Sequence, residues 1–183
     1  MDYKTDKKLT YVTSEVVITK SHEKVWKTLY EDFGNVALFN PNIDNSNFIE
    51  GHTIGAEGAQ RQCNVNENKY VKESIINVEE GKGFALVIDE AHGIPFNRVY
   101  VEYQITALEM GKTKVVQHIY YRTKPALMGQ IMKGKLGNSF ESIIVGLKYH
   151  METGDTVTKK KYKKIKKVFR NMEDSAQFTS KVS

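Results

Sequence analysis

The chain has 183 residues, 40% of them hydrophobic, enough for one globular domain that buries roughly 70% of the surface its unfolded form exposes. One cysteine, Cys63, excludes an internal disulfide framework; the charged start MDYKTDKKLTYV lacks the apolar run of a secretory signal, and no stretch approaches the roughly 18 apolar residues of a membrane span. The expectation is a reduced, cytoplasmic, soluble protein. The net charge of +5 is uneven: the last 28 positions, Thr156 to Ser183, hold nine Lys or Arg against Glu173 and Asp174, a net of +7 that leaves −2 for the rest. Gly154, a natural helix stop, divides a body of residues 1–155 from a basic tail of residues 156–183.

In chain order, Thr10 to Thr19 is rich in β-branched residues and predicts a first strand. Ser21 is a helix N-cap with Glu23 in the first turn, and Val25, Trp26, Leu29, Tyr30 and Phe33 follow at helical spacing as a core face. Gly34 stops that helix, Asn35 caps a short second one (NVALF), and Pro41 ends it. Strand patterns then run over about 47–49, 56–65, 70–78, 83–89, 97–108 and 113–122, separated by Asn-Glu-Asn-Lys, Glu-Glu-Gly-Lys and Glu-Met-Gly-Lys. Such short gaps predict an antiparallel meander, since parallel crossovers need about a dozen connecting residues. From Pro125 the period becomes helical: Leu127, Ile131, Leu136, Phe140, Ile143, Ile144, Leu147 and Met151 form one stripe. Glycines 129, 134 and 137 predict an irregular entry before a firm helix from about Ser139.

A single curved antiparallel sheet with helices on one side leaves a concave face to be filled, which predicts a container for a small molecule. The segment VVITKSHEKVWKTLYEDFGNVALFNP, the Gly58-x-x-Arg61 strand start, the Glu73-x-Ile75 pair and the closing FESIIVGLKYHME resemble the START-like helix-grip (SRPBCC) superfamily. The nearest branch is the polyketide cyclase/dehydrase and lipid-transport group, with the plant pathogenesis-related allergens and hormone receptors more distant. The resemblance covers about Thr10 to Glu152. It implies an α+β helix-grip fold: six or seven antiparallel strands curved around a long C-terminal helix, with two short helices after the first strand. The receptors' Ser-Gly-Leu-Pro gate loop has no counterpart, because Asn64 to Tyr70 (NVNENKY) stands there.

Strand alternation allocates the cavity walls, and the resemblance says which face is inward. The inward sets are Arg61, Cys63 and Val65; Glu73 and Ile75; Phe84, Leu86 and Ile88; Val99, Val101, Tyr103 and Ile105; and Val115, Gln117, Ile119 and Tyr121, with Phe140, Ile144 and Lys148 added by the helix. The ligand-binding candidates are Arg61, Cys63, Glu73, Phe84, Leu86, Val101, Tyr103, Gln117, Tyr121, Phe140 and Ile144. A three-residue loop over Glu67, Asn68 and Lys69 sets Cys63 opposite Glu73 and Arg61 diagonal to it on one face; a two-residue turn reverses that relation.

Two functions fit these walls: binding or transfer of a lipid-like or aromatic molecule, and a cyclase or dehydratase reaction in which Arg61 stabilises an enolate while Glu73, Tyr103 or Tyr121 moves protons. No cofactor is indicated. The five histidines lack metal-ligand spacing, and GQIMKGK at 129–135 lacks the hydroxyl residue and leading strand of a phosphate loop. His92, in a predicted rim loop, is a candidate for gating or acid-base work. A third function concerns the tail, where Tyr162, Ile165, Val168, Phe169 and Met172 form an apolar stripe among lysines. Lys160, Lys163, Lys164, Ile165, Lys167 and Phe169 are its candidates for docking on an anionic membrane or an acidic partner; nucleic acid suits the pattern less. The same pattern also fits a solvated tail or a stripe packed on the body.

Overall fold

Burial alternates strictly along the strand Thr113–Thr123: Thr113, Val115, Gln117, Ile119, Tyr121 and Thr123 are buried while the residues between them are half-exposed. The computed structural model, which describes residues 3–127, 131, 133–172 and 176–178, repeats that period-two logic through a seven-stranded sheet. Its strands are β1 (Thr10–Ile18), β2 (Asn45–Phe48), β3 (Gln60–Asn66), β4 (Lys69–Glu79), β5 (Gly83–His92), β6 (Phe96–Ala107) and β7 (Thr113–Thr123). They lie in the order β1-β7-β6-β5-β4-β3-β2, every neighbouring pair antiparallel. The meander and the strand-to-helix order expected from the sequence are those of the molecule.

Helix α1 (His22–Trp26) continues into a wider π turn (Lys27–Glu31) and then a 3-10 segment (Phe33–Leu38). Val25, Trp26, Leu29, Tyr30 and Phe33 are all buried, so the apolar face is core. One cap assignment holds and one is corrected. Ser21 occupies the N-cap with extended backbone but makes no side-chain cap bond, and Asn35 sits at a kink inside the 3-10 segment, whose N-cap is Asp32. The strand expected from Ala56 begins only at Gln60, because Gly58 adopts φ +83 in a preceding turn.

Helix α2 (Lys133–Thr153) lies in the grip of the sheet, and α3 (Lys159–Phe169) packs against it. Helix α2 starts earlier than the expected Ser139; Gly129 and its neighbours at 128, 130 and 132 lie outside the described residues, as do Glu173, Asp174 and Lys181. Gly146 allows the closest helix contact, since a Cβ there would stand 2.1 Å from the Phe39 carbonyl oxygen. Ile165 has no exposed surface, and Val157 and Phe178 are buried in the same core cluster as the sheet. The stripe expected to meet a membrane through Ile165 and Phe169 therefore packs on the body, because α2 offers it an apolar surface already at hand.

Candidate functional site

The turn between β3 and β4 is tighter than the three-residue loop considered above: Asn66 faces Lys69 across Glu67 and Asn68. A β-bulge at Val65 restores the parity, so Arg61 stands directly opposite Glu73 and Cys63 opposite Val71. The two charged residues thus share a face through a bulge that no local composition announces.

Arg61 is 5% exposed, and each of its three side-chain nitrogens has a partner. Its Nε donates to Glu73 Oε2 at 2.7 Å, Nη2 lies 2.6 Å from the same oxygen, Nη1 donates to the Phe33 carbonyl at 2.7 Å, and the guanidinium sits 3.8 Å over the Phe33 ring. Burial is the largest single influence and works to lower its pKa, but the charge and hydrogen bond of Glu73, joined by Cys63 and Tyr103, together outweigh it and raise the pKa. The Cys63 thiol donates weakly to Glu73 Oε2 at 3.7 Å, and burial, seconded by the Glu73 charge, pushes its pKa up, which keeps it an un-ionised thiol. Next along the concave face, Gln117 Nε2 donates to the Tyr103 hydroxyl at 3.0 Å. Burial raises the Tyr103 phenol to about 12, against the pull of Arg61. Tyr103 therefore keeps its proton at neutral pH, and among the described residues no hydrogen bond takes that proton.

Around this polar group the remaining candidates form apolar walls. Phe84, Leu86, Val101, Tyr121 and Ile144 belong to the buried core cluster, with Phe140 half-buried against it. Ring centroids lie 5.3 Å apart for Phe84 and Tyr103 and 5.3 Å for Tyr121 and Phe140. The Tyr121 hydroxyl is buried and, although close to Thr10, makes no well-formed hydrogen bond. Lys148 stands apart from this group: its ammonium donates to the Val17 carbonyl at 2.6 Å and to Glu152 at 2.8 Å, closing the edge of β1. His92 also turns away. It pairs with Tyr70 across the β4–β5 ladder and stacks on that ring at 5.1 Å, on the outer face, because neighbouring Val71 points inward.

The sheet parts at one end, called the open end below. The β5–β6 ladder runs from Gly83↔Gln104 to Val87↔Tyr100 and stops; beyond it residues 88–92 pair with β4 and residues 96–99 pair with β7. A bulge at Asp89 helps to turn β5 away. Ile88, Ile94, Phe96, Leu136 and Phe140 gather here as half-buried apolar side chains, with Phe96 and Phe140 stacked at 6.2 Å. Phe33, read from the sequence only as core, grips Arg61, and Ile94 and Phe96, which flank the parted strands, are not among the candidates. The first acts through a carbonyl and a ring face that spacing does not reveal, and the other two border a loop with no periodic signal. A separate depression of about 1030 Å³ opens over the outer face of β4–β6 beside the N-terminal turn Tyr3–Thr5, where Tyr3 stacks on Tyr100 at 4.5 Å; of the candidate residues, only Phe84 and Tyr103 line it. It stands on the other side of the sheet from the polar group, and the chemistry argued from side chains favours the concave side.

Among the described residues no group of three His, Cys, Asp or Glu is placed to hold a metal ion, and no helix is long and apolar enough to cross a membrane.

No family model matches the sequence, and no curated protein does. Solved structures match its shape. A START superfamily protein from Mycobacterium smegmatis is 16% identical, with a TM-score of 0.65 over 78% of this chain and 97% of that one. A protein from Nitrosospira multiformis is 14% identical, with a TM-score of 0.62 over 78% and 96%. The major latex-like protein 151 of Panax ginseng is 14% identical, with a TM-score of 0.60 over 78% and 97%. The chain has a START-like helix-grip fold.

Proposed function

We propose that the protein binds, and hands on, an apolar small molecule with one polar end, held between the sheet and α2. The observation that carries this reading is the gradient of side chains along the concave face. Half-buried Ile88, Ile94, Phe96, Leu136 and Phe140 stand at the open end, and inside them Tyr103 offers an O–H with no acceptor among the described residues. Apolar walls with one or two placed polar groups are the usual composition of a small-molecule site. Tyr103 then donates to the ligand's polar end, while Gln117 orients the phenol. The shared START-like fold is consistent with this, as a likeness of shape.

A cyclase or dehydratase reaction fits less well. Arg61 has its donors on Glu73 and Phe33, so stabilising an enolate requires breaking a buried ion pair, a step that costs several kcal/mol. Tyr103, held protonated, is an acid or a donor but no base at neutral pH.

Titration with the fluorescent probe 1-anilinonaphthalene-8-sulfonate and with a long-chain fatty acid tests the reading. Saturable binding is expected, competitive between the two and abolished by Phe140→Asp, with circular dichroism checking that the variant is folded under the titration conditions. A folded wild-type protein that binds neither compound saturably overturns it.

A further inference from the structure

The segment KKKYKKIKKVF of α3 carries seven lysines and no acid, and its apolar side is already occupied. Ile165 is fully buried, and Tyr162 and Phe169 are half-buried against the core. Two lysines also serve the body: Lys161 pairs with Asp155 at 2.8 Å, and Lys166 donates to Asn138 Oδ1 at 2.9 Å with Glu141 at 3.7 Å. What remains outward is a basic face that includes Lys160, Lys163, Lys167 and Arg170, all exposed.

The Lys166 contacts fix where that face lies. Asn138 and Glu141 are in the early turns of α2, the half that lies over the open end. Ile131 precedes Asn138 by seven residues in the chain. It is 75% exposed, and Leu127 is 64% exposed. Leu127 follows the chain segment at Lys124, whose N–H donates to Pro95 O in the β5–β6 connection at 2.9 Å. Val168, 42% exposed, ends the same helix as the lysines. Lys133 and Lys135 are exposed beside these side chains. Exposed aliphatic residues and lysines thus occur together before and along the early turns of α2, toward which α3 runs from its start beside Asp155.

We propose that this end docks on an anionic lipid bilayer, with the outward lysines of α3 against the headgroups and Leu127 and Ile131 entering the interface. Charge complementarity supplies the attraction, about fivefold in affinity per lysine near such a surface, and it fades within a Debye length of roughly 8 Å at physiological salt. The aliphatic side chains distinguish a bilayer from nucleic acid, which asks for aromatic platforms between the cations; here Tyr162 and Phe169 pack toward the core. The docking surface stands without the cavity, but its use as a route for the guest, from bilayer to interior, rests on the container reading.

The full chain is sedimented with phosphatidylcholine vesicles with and without phosphatidylserine, at low and rising salt. Expected are sedimentation only with phosphatidylserine, release as salt rises, and an affinity loss of about tenfold or more for Lys163→Glu with Lys167→Glu. Leu127→Ser with Ile131→Ser gives a several-fold loss at unchanged charge. Both variants keep the wild-type thermal midpoint and probe binding. Equal sedimentation with both vesicle types, or wild-type affinity in the charge variant, overturns the proposal. So does tighter binding to polyglutamate or duplex DNA than to the anionic vesicles, which assigns the surface to that partner. Vesicle binding without probe binding sinks the container and leaves the dock; probe binding without vesicle binding does the reverse.

Discussion

The two halves of α2 meet different surroundings. Of residues 142–149 all but Ile143 are buried, packed on β1, the Phe39 corner and α3, whereas residues 133–141 are exposed or half-buried over the parted strands. The closed half is fastened by a second buried ion pair. Glu152 accepts from Lys148 at 2.8 Å, from the Thr19 N–H at 2.8 Å and, through its other oxygen, from the Phe178 N–H at 2.8 Å. The difference teaches that one helix meets two environments: its far half anchors the fold, while its near half is exposed or half-buried and packs less, as regions of low local stability commonly do.

The largest test of the contrast is Glu152→Gln. It leaves the Lys148 ammonium, 1% exposed, without its counter-charge and weakens the tie to Phe178. Breaking a buried pair from one side costs about 3–5 kcal/mol. Urea unfolding is expected to show a loss of that order; a loss below about 1 kcal/mol would place the anchoring elsewhere. Gly146→Ala comes next. Its Cβ must displace the Phe39 backbone, at an overpacking cost of roughly 1–3 kcal/mol, while probe affinity at the open end stays unchanged.

The closed half was more legible in the sequence than the open one, for a physical reason. Where one face is buried, period two or 3.6 must appear, and Val99 to Ile105, Val115 to Tyr121 and Ile144 to Leu147 show it plainly. Bulges at Val65 and Asp89 add one residue without changing composition, so the register of Arg61 against Glu73 and the parting of β5 from β6 left no mark. The stripe through Ile165 was visible as a stripe. What it faces was not, because a helix that packs on its own body and one that meets a membrane need the same spacing.

Between the two halves lies Tyr103, and pH separates its contribution. The fold buries the protonated phenol, with a pKa raised from 10.0 to about 12. Below pH 10 both folded and unfolded chains hold the proton and the stabilisation is complete. As pH rises from about 10 to about 12 only the unfolded chain ionises, so stability falls by about 1.4 kcal/mol per unit. Cys63 and Tyr162, also raised, act in the same direction. Urea unfolding at pH 8 and pH 11 is expected to show a smaller alkaline loss in Tyr103→Phe than in the wild type by about 1 kcal/mol. An identical loss in both proteins would mean that water reaches this phenol in the folded state.

The smallest effect carries the opposite sign on the same helix. At Gly137 an added Cβ would meet nothing within 4 Å, in contrast to the 2.1 Å encounter at Gly146. Gly137→Ala therefore removes backbone entropy from the unfolded chain and gains helix propensity without a clash, stabilising by about 0.5–1 kcal/mol. For a chain of this length that is a rise of roughly 1–4 °C in the thermal midpoint. The paired result, Gly146→Ala down and Gly137→Ala up with probe affinity kept in both, is what a helix anchored at one end and open at the other produces. A destabilised Gly137→Ala would show instead that the near half packs as tightly as the far one, and the distinction between the two halves would fall with it.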